Sequence, residues 1–309
     1  MTPRANCLNP EMLTESSKPR LTRRDWLKRA ACTAGTLAGA VGLYTWQIEP
    51  HWVEVVERDL IIEGVPDGLV GKTLVQISDI HIGDNVDDSF LITWFHRVAE
   101  WKPDIVVFTG DFLTLNRDRT LPTEKMKQVL HHFPQGNLAT IGIFGNHDYG
   151  YRWSDIDAAS QVMRIATDSG LTILRNEFCD ISGLQIVGFE DYWSPNFCGP
   201  ELLERTDLDR PTLVLCHNPD VAALPIWRGY RGWILSGHTH GGQCKAPFFT
   251  PPQLPIVNKR LFAGAFRLLE GHQLYVNRAL GHSMRVRFNA RPEITVFRIQ
   301  TQKSELARV

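Results

Sequence analysis

In the stretch KTLVQISDIH, residues 72–81, an apolar run is followed directly by an aspartate and then by a histidine, a pattern that recurs along the chain and indicates the fold. The run Lys72–Ser78 is short and rich in leucine and β-branched residues, which predicts a buried strand. Asp79 and His81 follow it one residue apart. In an extended segment, side chains at positions i and i+2 leave on the same face, so we expect this pair to approach one centre.

Four further apolar runs end in polar clusters of the same kind. Residues 104–110, 138–145, 212–217 and 232–237 are each predicted to be buried strands. The clusters are Gly110-Asp111, Gly145-Asn146-His147-Asp148, Cys216-His217-Asn218-Pro219 and Gly237-His238-Thr239-His240. An α/β sheet binds ligands at the carboxyl ends of its strands, so all five clusters are expected to converge there. The glycines in them would let the backbone approach closely.

Helical patterns and hairpins fill the rest of the chain. Leu91, Trp94, Phe95 and Val98 have the spacing of an amphipathic helix, and further helices are predicted over residues 123–132 and 155–169. Residues 171–178 and 184–191 predict a hairpin, and residues 273–280 and 293–299 predict two more strands. This order favours the α/β class, as a four-layer αββα sandwich of two mixed β-sheets flanked by helices.

The five clusters hold the ligand types of a metal centre, and two Asp, one Asn and four or five His among their residues are taken as candidate ligands. Carboxylate, amide and imidazole ligands suit Mn, Fe or Zn, whereas Ca²⁺ prefers oxygens alone and structural zinc usually takes thiolates. About seven ligands are too many for one tetrahedral ion and fit two ions that share a bridge. Such pairs, about 3.5–4 Å apart, serve phosphoryl transfer. We therefore predict two divalent metal ions (Mn, Fe or Zn) at the strand C-terminal ends.

The ordered motifs D-x-H, G-D, G-N-H-D, a lone His and G-H-x-H resemble those of the calcineurin-like metallophosphoesterase superfamily. The resemblance covers residues 74–299. The stretches HNPD, residues 217–220, and GHTHGGQ, residues 237–243, resemble its bacterial phosphodiesterase branch that is exported by the twin-arginine route.

This resemblance implies a role for each matching residue. One ion would be held by Asp79, His81 and His240, the other by Asn146, His217 and His238, with Asp111 bridging both. His147 would donate a proton to the leaving oxygen while a metal-bridging hydroxide attacks phosphorus in line. Asp148 would orient or charge His147. Thr114 stands where many relatives have a carboxylate, so weaker orientation of a neighbouring group is expected.

The N-terminal segment, residues 1–46, is interpreted as a targeting signal and not as part of the folded domain. Arg23-Arg24, with Lys28 and a mildly apolar run from Ala30 to Trp46, resembles a twin-arginine export signal. Cleavage after Ala40 is expected, with an uncleaved membrane anchor or a basic surface helix as alternatives. This interpretation predicts the twin-arginine export machinery as a partner, a location in the periplasm or cell envelope, and a catalytic domain over residues 53–301.

Together these features predict an exported phosphodiesterase that acts on phosphate-ester substrates. One alternative is a pyrophosphatase acting on a nucleotide-linked lipid precursor of the UDP-2,3-diacylglucosamine type at the membrane. A non-catalytic metal-binding scaffold is another. Tyr192, Trp193 and the loop Pro247–Pro255 are candidates for substrate walls and for contact with membrane or envelope material, or they pack on the domain.

Composition sets outer limits on these interpretations. A chain of 309 residues, 43% of them hydrophobic, can bury the core of one large domain or two small ones. A net charge of −1 argues against a general nucleic-acid binder, so no nucleic-acid-binding surface is expected. Six cysteines without CxxC spacing indicate no disulfide framework, although a bond between Cys179 and Cys198 stays open. Cys216 should point away from the site, because strand neighbours alternate faces.

Overall fold

The computed structural model describes residues 22–301, which divide into two compact units between Leu43 and Tyr44. The first contains helix α1, Arg23–Leu43, which buries none of its side chains. Its start is capped, because Thr22 Oγ1 accepts a hydrogen bond from the backbone N–H of Asp25 at 3.2 Å. Within residues 22–301, no helix combines the length and the apolar character needed to cross a bilayer.

The second unit is built on two sheets of six strands each. Along the chain the strands are β1 Glu54–Ile61, β2 Thr73–Ile77, β3 Ile105–Phe108, β4 Ala139–Gly142, β5 Thr172–Ile173, β6 Glu177–Ile181, β7 Leu184–Gly188, β8 Thr212–Leu215, β9 Trp233–Ser236, β10 Gly264–Arg267, β11 Gln273–Val276 and β12 Glu293–Gln300. The helices of this unit are α2 Asp88–Glu100, α3 Thr123–Leu130, α4 Ile156–Asp168 and α5 Gly199–Arg205.

Both sheets are mixed. The first has the order β1-β12-β2-β3-β4-β5 and is parallel from β2 to β5, with β12 antiparallel to β2 and parallel to β1. The second has the order β10-β11-β9-β8-β7-β6, and its antiparallel edge strands β10 and β6 enclose four parallel strands. The last strand, β12, thus lies inside the first sheet and directly beside β2.

Three apolar cores hold the layers together. One lies between the sheets, where Leu74 and Val107 of the first meet Leu213 and Leu235 of the second. A second joins the outer face of the first sheet to α2, α3 and α4. The third packs α5 and buried loop residues such as Trp227 on the outer face of the second sheet. The layers are therefore helices, sheet, sheet and helix, which confirms the expected αββα architecture.

The predicted strands and helices are present, but the hairpin predicted over residues 171–178 and 184–191 differs from the observed one. The hairpin joins β6 to β7 through Ser182 and Gly183, while the earlier part of the predicted strand forms β5 in the other sheet. Strands β11 and β12 lie in different sheets. Strands β1 and β10 and helix α5 had not been predicted, because their short or mixed sequences lack a clear apolar period.

The cysteines follow the interpretation of the sequence where the structure describes them. Cys179 and Cys198 are both free thiols, so they do not form the disulfide bond that the sequence left undecided. Cys216 is buried in the outer core of the second sheet, on the side away from the polar clusters. It therefore acts as a small apolar residue.

Candidate metal centre

The five polar clusters meet at one edge of the sandwich. Asp79, Asp111 and Asn146 follow β2, β3 and β4 of the first sheet, whereas His217 and His238 follow β8 and β9 of the second. The sheets are joined here, since the backbone N–H of His238 donates to Asp79 Oδ1 at 3.0 Å. The seven candidate ligands, which include His81 and His240, are all between 0% and 6% exposed.

The candidate ligands form two groups that meet at Asp111. Asp79, His81 and His240 lie close together in the first, and Asp111, His217 and His238 form the second. His240 Nε2 lies 3.3 Å from Asp79 Oδ1, and His217 Nε2 lies 3.2 Å from Asp111 Oδ2. His81 Nε2 lies 3.6 Å from Asp111 Oδ2, which links the groups. His81 and Asp111 also form a group with His147, which was expected beside the ions as a proton donor, and the role of each residue as a ligand stays a prediction.

The backbone positions these side chains in a way that the sequence pattern had not predicted. Asp79, His81, Asp111, His238 and His240 all have positive φ angles, between 47° and 71°. Non-glycine residues rarely adopt this left-handed region, and such strain is concentrated at functional sites. The expectation that Asp79 and His81 share a face of an extended strand is therefore wrong, because each is turned inward by its own left-handed backbone.

Two glycines permit the close approach of the loops. A Cβ atom at Gly145 would lie 2.2 Å from Asp111 Oδ1, and one at Gly237 would lie 2.2 Å from Asp79 Oδ2. No real Cβ approaches an oxygen so closely, so any side chain at these positions would displace a candidate ligand. The expected reason for these glycines is thus present in the structure.

The outer nitrogens of three imidazoles are held by hydrogen bonds. His81 Nδ1 lies 2.8 Å from Thr114 Oγ1, and His217 Nδ1 lies 2.7 Å from the carbonyl oxygen of Thr109. His238 Nε2 lies 2.8 Å from the carbonyl oxygen of Pro255. Partners of this kind fix the orientation of ligating imidazoles in metalloproteins. Sequence reasoning missed Pro255, and it noted Thr114 only as a departure from the family pattern.

Several buried atoms in this cluster have the arrangement that a bound cation requires. His81 Nε2 and His240 Nε2 lie 2.9 Å apart, and His217 Nε2 and His238 Nδ1 lie 3.1 Å apart. Ligands with metal bonds of about 2.0–2.1 Å lie roughly 2.9–3.4 Å from one another around one ion. Asn146 Oδ1 is buried without a hydrogen-bond partner. The residues present therefore fit divalent cations.

The electrostatics favour ligand-competent protonation states. Burial opposes ionisation of Asp111, but His217, His147 and His81 together outweigh it, so the pKa of Asp111 lies well below its usual range. Burial lowers the pKa of His238 to about 3 and holds that of His81 well below its usual value. His217 differs, because Asp111 and Asp79 outweigh burial and raise its pKa. Ionised carboxylates and neutral imidazoles are the forms that bind metals.

His147 and Asp148 lie beside the two groups but face different partners. The His147 ring is half-buried, and its centroid lies 5.0 Å from that of His81. The carboxylate of Asp148 accepts hydrogen bonds from the backbone N–H groups of Phe112 at 2.8 Å and Gly145 at 2.9 Å. Asp148 therefore braces the loops that carry Asp111 and Asn146. Its expected action on the imidazole of His147 stays a prediction.

A cavity of about 530 Å³ opens above the candidate ligands. His147, His238 and His240 lie on its floor, and Trp193, Leu254 and Met284 are among its walls. Trp193 meets the His238 ring edge-on, with centroids 4.7 Å apart. Residues 252–255 of the predicted wall segment line the cavity, whereas Tyr192 is not among the lining residues that the structure describes.

The chain is similar to known phosphoesterases along most of its length. Residues 72–242 match the family model of the calcineurin-like phosphoesterases. An uncharacterized metallophosphoesterase of Bacillus subtilis, YkuE, is 33% identical over 91% of this chain and 99% of its own. The phosphodiesterase YaeI of Escherichia coli is 30% identical over 90% of this chain and 99% of its own. The UDP-2,3-diacylglucosamine pyrophosphatase LpxG of Chlamydia trachomatis is 29% identical, over 85% and 94% respectively.

Proposed function

Because the chain belongs to the calcineurin-like phosphoesterase family, we propose that it is an exported phosphodiesterase with two metal ions. Membership of this family makes the chain a metal-dependent phosphoric ester hydrolase, and one of its relatives is named a phosphodiesterase. The proposal of two metal ions is supported by one observation above all. Two groups of buried candidate ligands meet at a single carboxylate, that of Asp111.

The proposal assigns the ligands by these groups. One ion would be held by Asp79, His81 and His240, the other by Asn146, His217 and His238, and both by Asp111. When bound, such a pair of divalent ions polarises the phosphate and supplies an activated water molecule. Asp111 is held in place for a shared role, because its Oδ1 accepts a hydrogen bond from the backbone N–H of His147 at 2.9 Å.

His147 is the proposed proton donor to the leaving oxygen. It lines the cavity beside His240, and it is less buried than the candidate ligands, so a substrate oxygen can reach its ring. The backbone contact with Asp111 fixes its distance from the ligand groups. Proton donation by a positioned imidazole accelerates hydrolysis by about 10²–10⁴-fold.

A second candidate function is a pyrophosphatase for a nucleotide-linked lipid. It is favoured by the chlamydial relatives, which are named UDP-2,3-diacylglucosamine pyrophosphatases, and by the apolar side chains of Leu254 and Met284 in the cavity wall. The experiment is a screen of phosphomonoesters, phosphodiesters and nucleotide-lipid pyrophosphates, using protein reconstituted with Mn²⁺, Fe²⁺ or Zn²⁺. Preferred cleavage of simple phosphodiesters supports the first candidate. Preferred cleavage of the lipid pyrophosphate supports the second.

Export by the twin-arginine route is proposed from Arg23 and Arg24, which lie at the start of α1. The N-terminal sequence of the mature protein tests it. A new terminus after Ala40 is expected, and an intact segment in the membrane fraction would indicate an anchor. An intact chain in the cytosol would contradict both interpretations.

A further inference from the structure

The rim loop, residues 244–262, follows the last candidate ligand in the sequence and has both exposed and buried apolar side chains. Phe248, Phe249 and Val257 are 104%, 71% and 85% exposed, whereas Leu254 and Ile256 are 7% and 4% exposed. The loop therefore packs one set of apolar side chains onto the domain and presents another set to solvent. Grouped exposed apolar side chains of this size mark contact surfaces in soluble proteins.

The exposed side chains are held outward by a well-anchored loop. The Asp220 carboxylate accepts hydrogen bonds from the backbone N–H groups of Val257 at 2.6 Å and Asn258 at 2.9 Å. Thr239 Oγ1 donates to the carbonyl oxygen of Phe262 at 2.7 Å. These contacts fix the second half of the loop with Val257, and in the first half the backbone N–H of Phe249 donates to the carbonyl oxygen of Ala246 at 3.2 Å.

The charge of this region indicates what the surface contacts. The rim loop carries Lys245, Lys259 and Arg260, and no acidic residue occurs between positions 221 and 269, although the whole chain has a net charge of −1. Lys259 and Arg260 are exposed beside Val257. Apolar tips that are flanked by cations are the signature of a surface that binds anionic lipids.

We propose that the rim loop is a docking surface for an anionic lipid bilayer. Phe248 and Phe249 enter the boundary between headgroups and acyl chains, and the exposed Arg260 lies among the headgroups. Lys245 and Lys259 add positive charge nearby, Lys245 over the Phe262 ring and Lys259 with its ammonium donating to the carbonyl oxygens of Leu254 and Ile256. Pro252, Leu254 and Lys259 line the cavity together with His238, so docking turns the cavity mouth towards the headgroup layer. The docking surface stands without the proposed activity. Only the consequence that the enzyme attacks a headgroup phosphoester rests on the proposed function.

The first residues of this unit pack beside the rim loop. The carbonyl oxygen of Thr45 accepts a hydrogen bond from the backbone N–H of Arg287 at 2.9 Å, and Glu49 Oε1 accepts one from Ala290 N–H at 2.6 Å. Next to Arg287, the carbonyl oxygen of Phe288 accepts a hydrogen bond from Lys245 N–H at 2.8 Å. Residues 44–49 therefore lie near the root of the rim loop.

Vesicle flotation of the full-length protein tests the proposal. Vesicles of phosphatidylcholine alone are compared with vesicles that contain about 30 mol% phosphatidylglycerol. Wild type should float with the anionic vesicles, and less in high salt. The double variant Phe248→Ser/Phe249→Ser should partition at least about tenfold more weakly. The matched control is Leu269→Ser, because Leu269 is 107% exposed in the β10–β11 turn, at the opposite end of the second sheet.

Each outcome is decisive once equal melting temperatures show that the variants are folded. Equal flotation of the double variant and wild type overturns the proposal, as does wild type that floats with neither vesicle. If light scattering shows a wild-type dimer that the double variant loses, without vesicle binding, the surface is an interface between copies. Hydrolysis of a soluble phosphodiester by wild type from the same preparation tests the proposed function separately.

Discussion

The floor of the cavity holds polar side chains that are almost fully buried, whereas its rim exposes phenylalanine, valine and methionine to solvent. At and beneath the floor, the candidate ligands His81, His217 and His238 each have one ring nitrogen facing the cluster and the other held by a neighbouring oxygen. On the rim, Phe248 and Met284 are 104% and 55% exposed. The polar side chains of the candidate metal centre are thus held in place by several contacts, whereas the apolar side chains of the rim are exposed and can contact a ligand.

This contrast separates two kinds of function in one cavity. Substitutions of the candidate ligands should change metal binding and the rate with every substrate, because these side chains support one another, whereas His147 should affect only the rate. Substitutions on the rim should change which substrates or surfaces are bound and leave the rate with small substrates unaltered. The predictions below test this division.

The largest effect is expected for Asp111→Asn on the floor. The amide removes the charge that both ligand groups face, so metal content and activity should fall together, the latter by about 10⁴-fold or more. Metal analysis and hydrolysis of a chromogenic phosphodiester measure the two losses. Undiminished hydrolysis would defeat the proposed mechanism.

Next in size is His147→Ala, also on the floor but outside the ligand set. The variant should keep its metals and lose about 10²–10⁴ in rate on substrates with poor leaving groups. The loss should shrink for p-nitrophenol esters, because their leaving oxygen needs no proton. An equal loss with both leaving groups would show that His147 acts by another route.

A smaller effect is expected for Thr114→Val, which removes the hydrogen-bond partner of His81 Nδ1. Affinity for the metals should fall by about 10-fold, the lower end of effects seen for such supporting partners. Titration of the metal-free protein measures it. Thr114→Ser keeps the hydroxyl and serves as the matched control, so an equal loss in both variants would point to packing instead.

The smallest effect belongs to the rim. Met284→Ala removes an exposed apolar side chain from the cavity wall and no candidate ligand. KM should rise about threefold for a substrate with an acyl tail and stay constant for a small phosphodiester, since roughly one apolar contact is lost. Unchanged metal content is the control. A fall in kcat with the small substrate would contradict the separation of floor and rim.

The convergence of the five clusters could be predicted because each follows a short apolar strand. Asp79, Asp111 and His217 needed only the rule that strand carboxyl ends form the binding edge. The left-handed backbone at Asp79 and His81 could not be predicted, because neither residue type reveals a positive φ angle as a glycine does.

Supporting contacts were less predictable than the candidate ligands. Pro255 reaches His238 from a loop whose path depends on tertiary packing, and no local pattern specifies it. Asp148 was expected to act on His147, and its hydrogen bond from the backbone N–H of Phe112 is a further contact that no local pattern specifies. Pairing in the sheets is similarly non-local, which is why the neighbours of β12 were not predicted.

The position of β12 has a consequence for biosynthesis. This strand pairs with β1 on one side and β2 on the other, so β2, the strand that leads to Asp79, has only β3 as a neighbour until residues 293–300 have been made. A ribosome-bound chain that lacks them cannot complete the first sheet, whatever the state of its other strands. Assembly of the metal centre is thus a late event, completed after translation has passed residue 300.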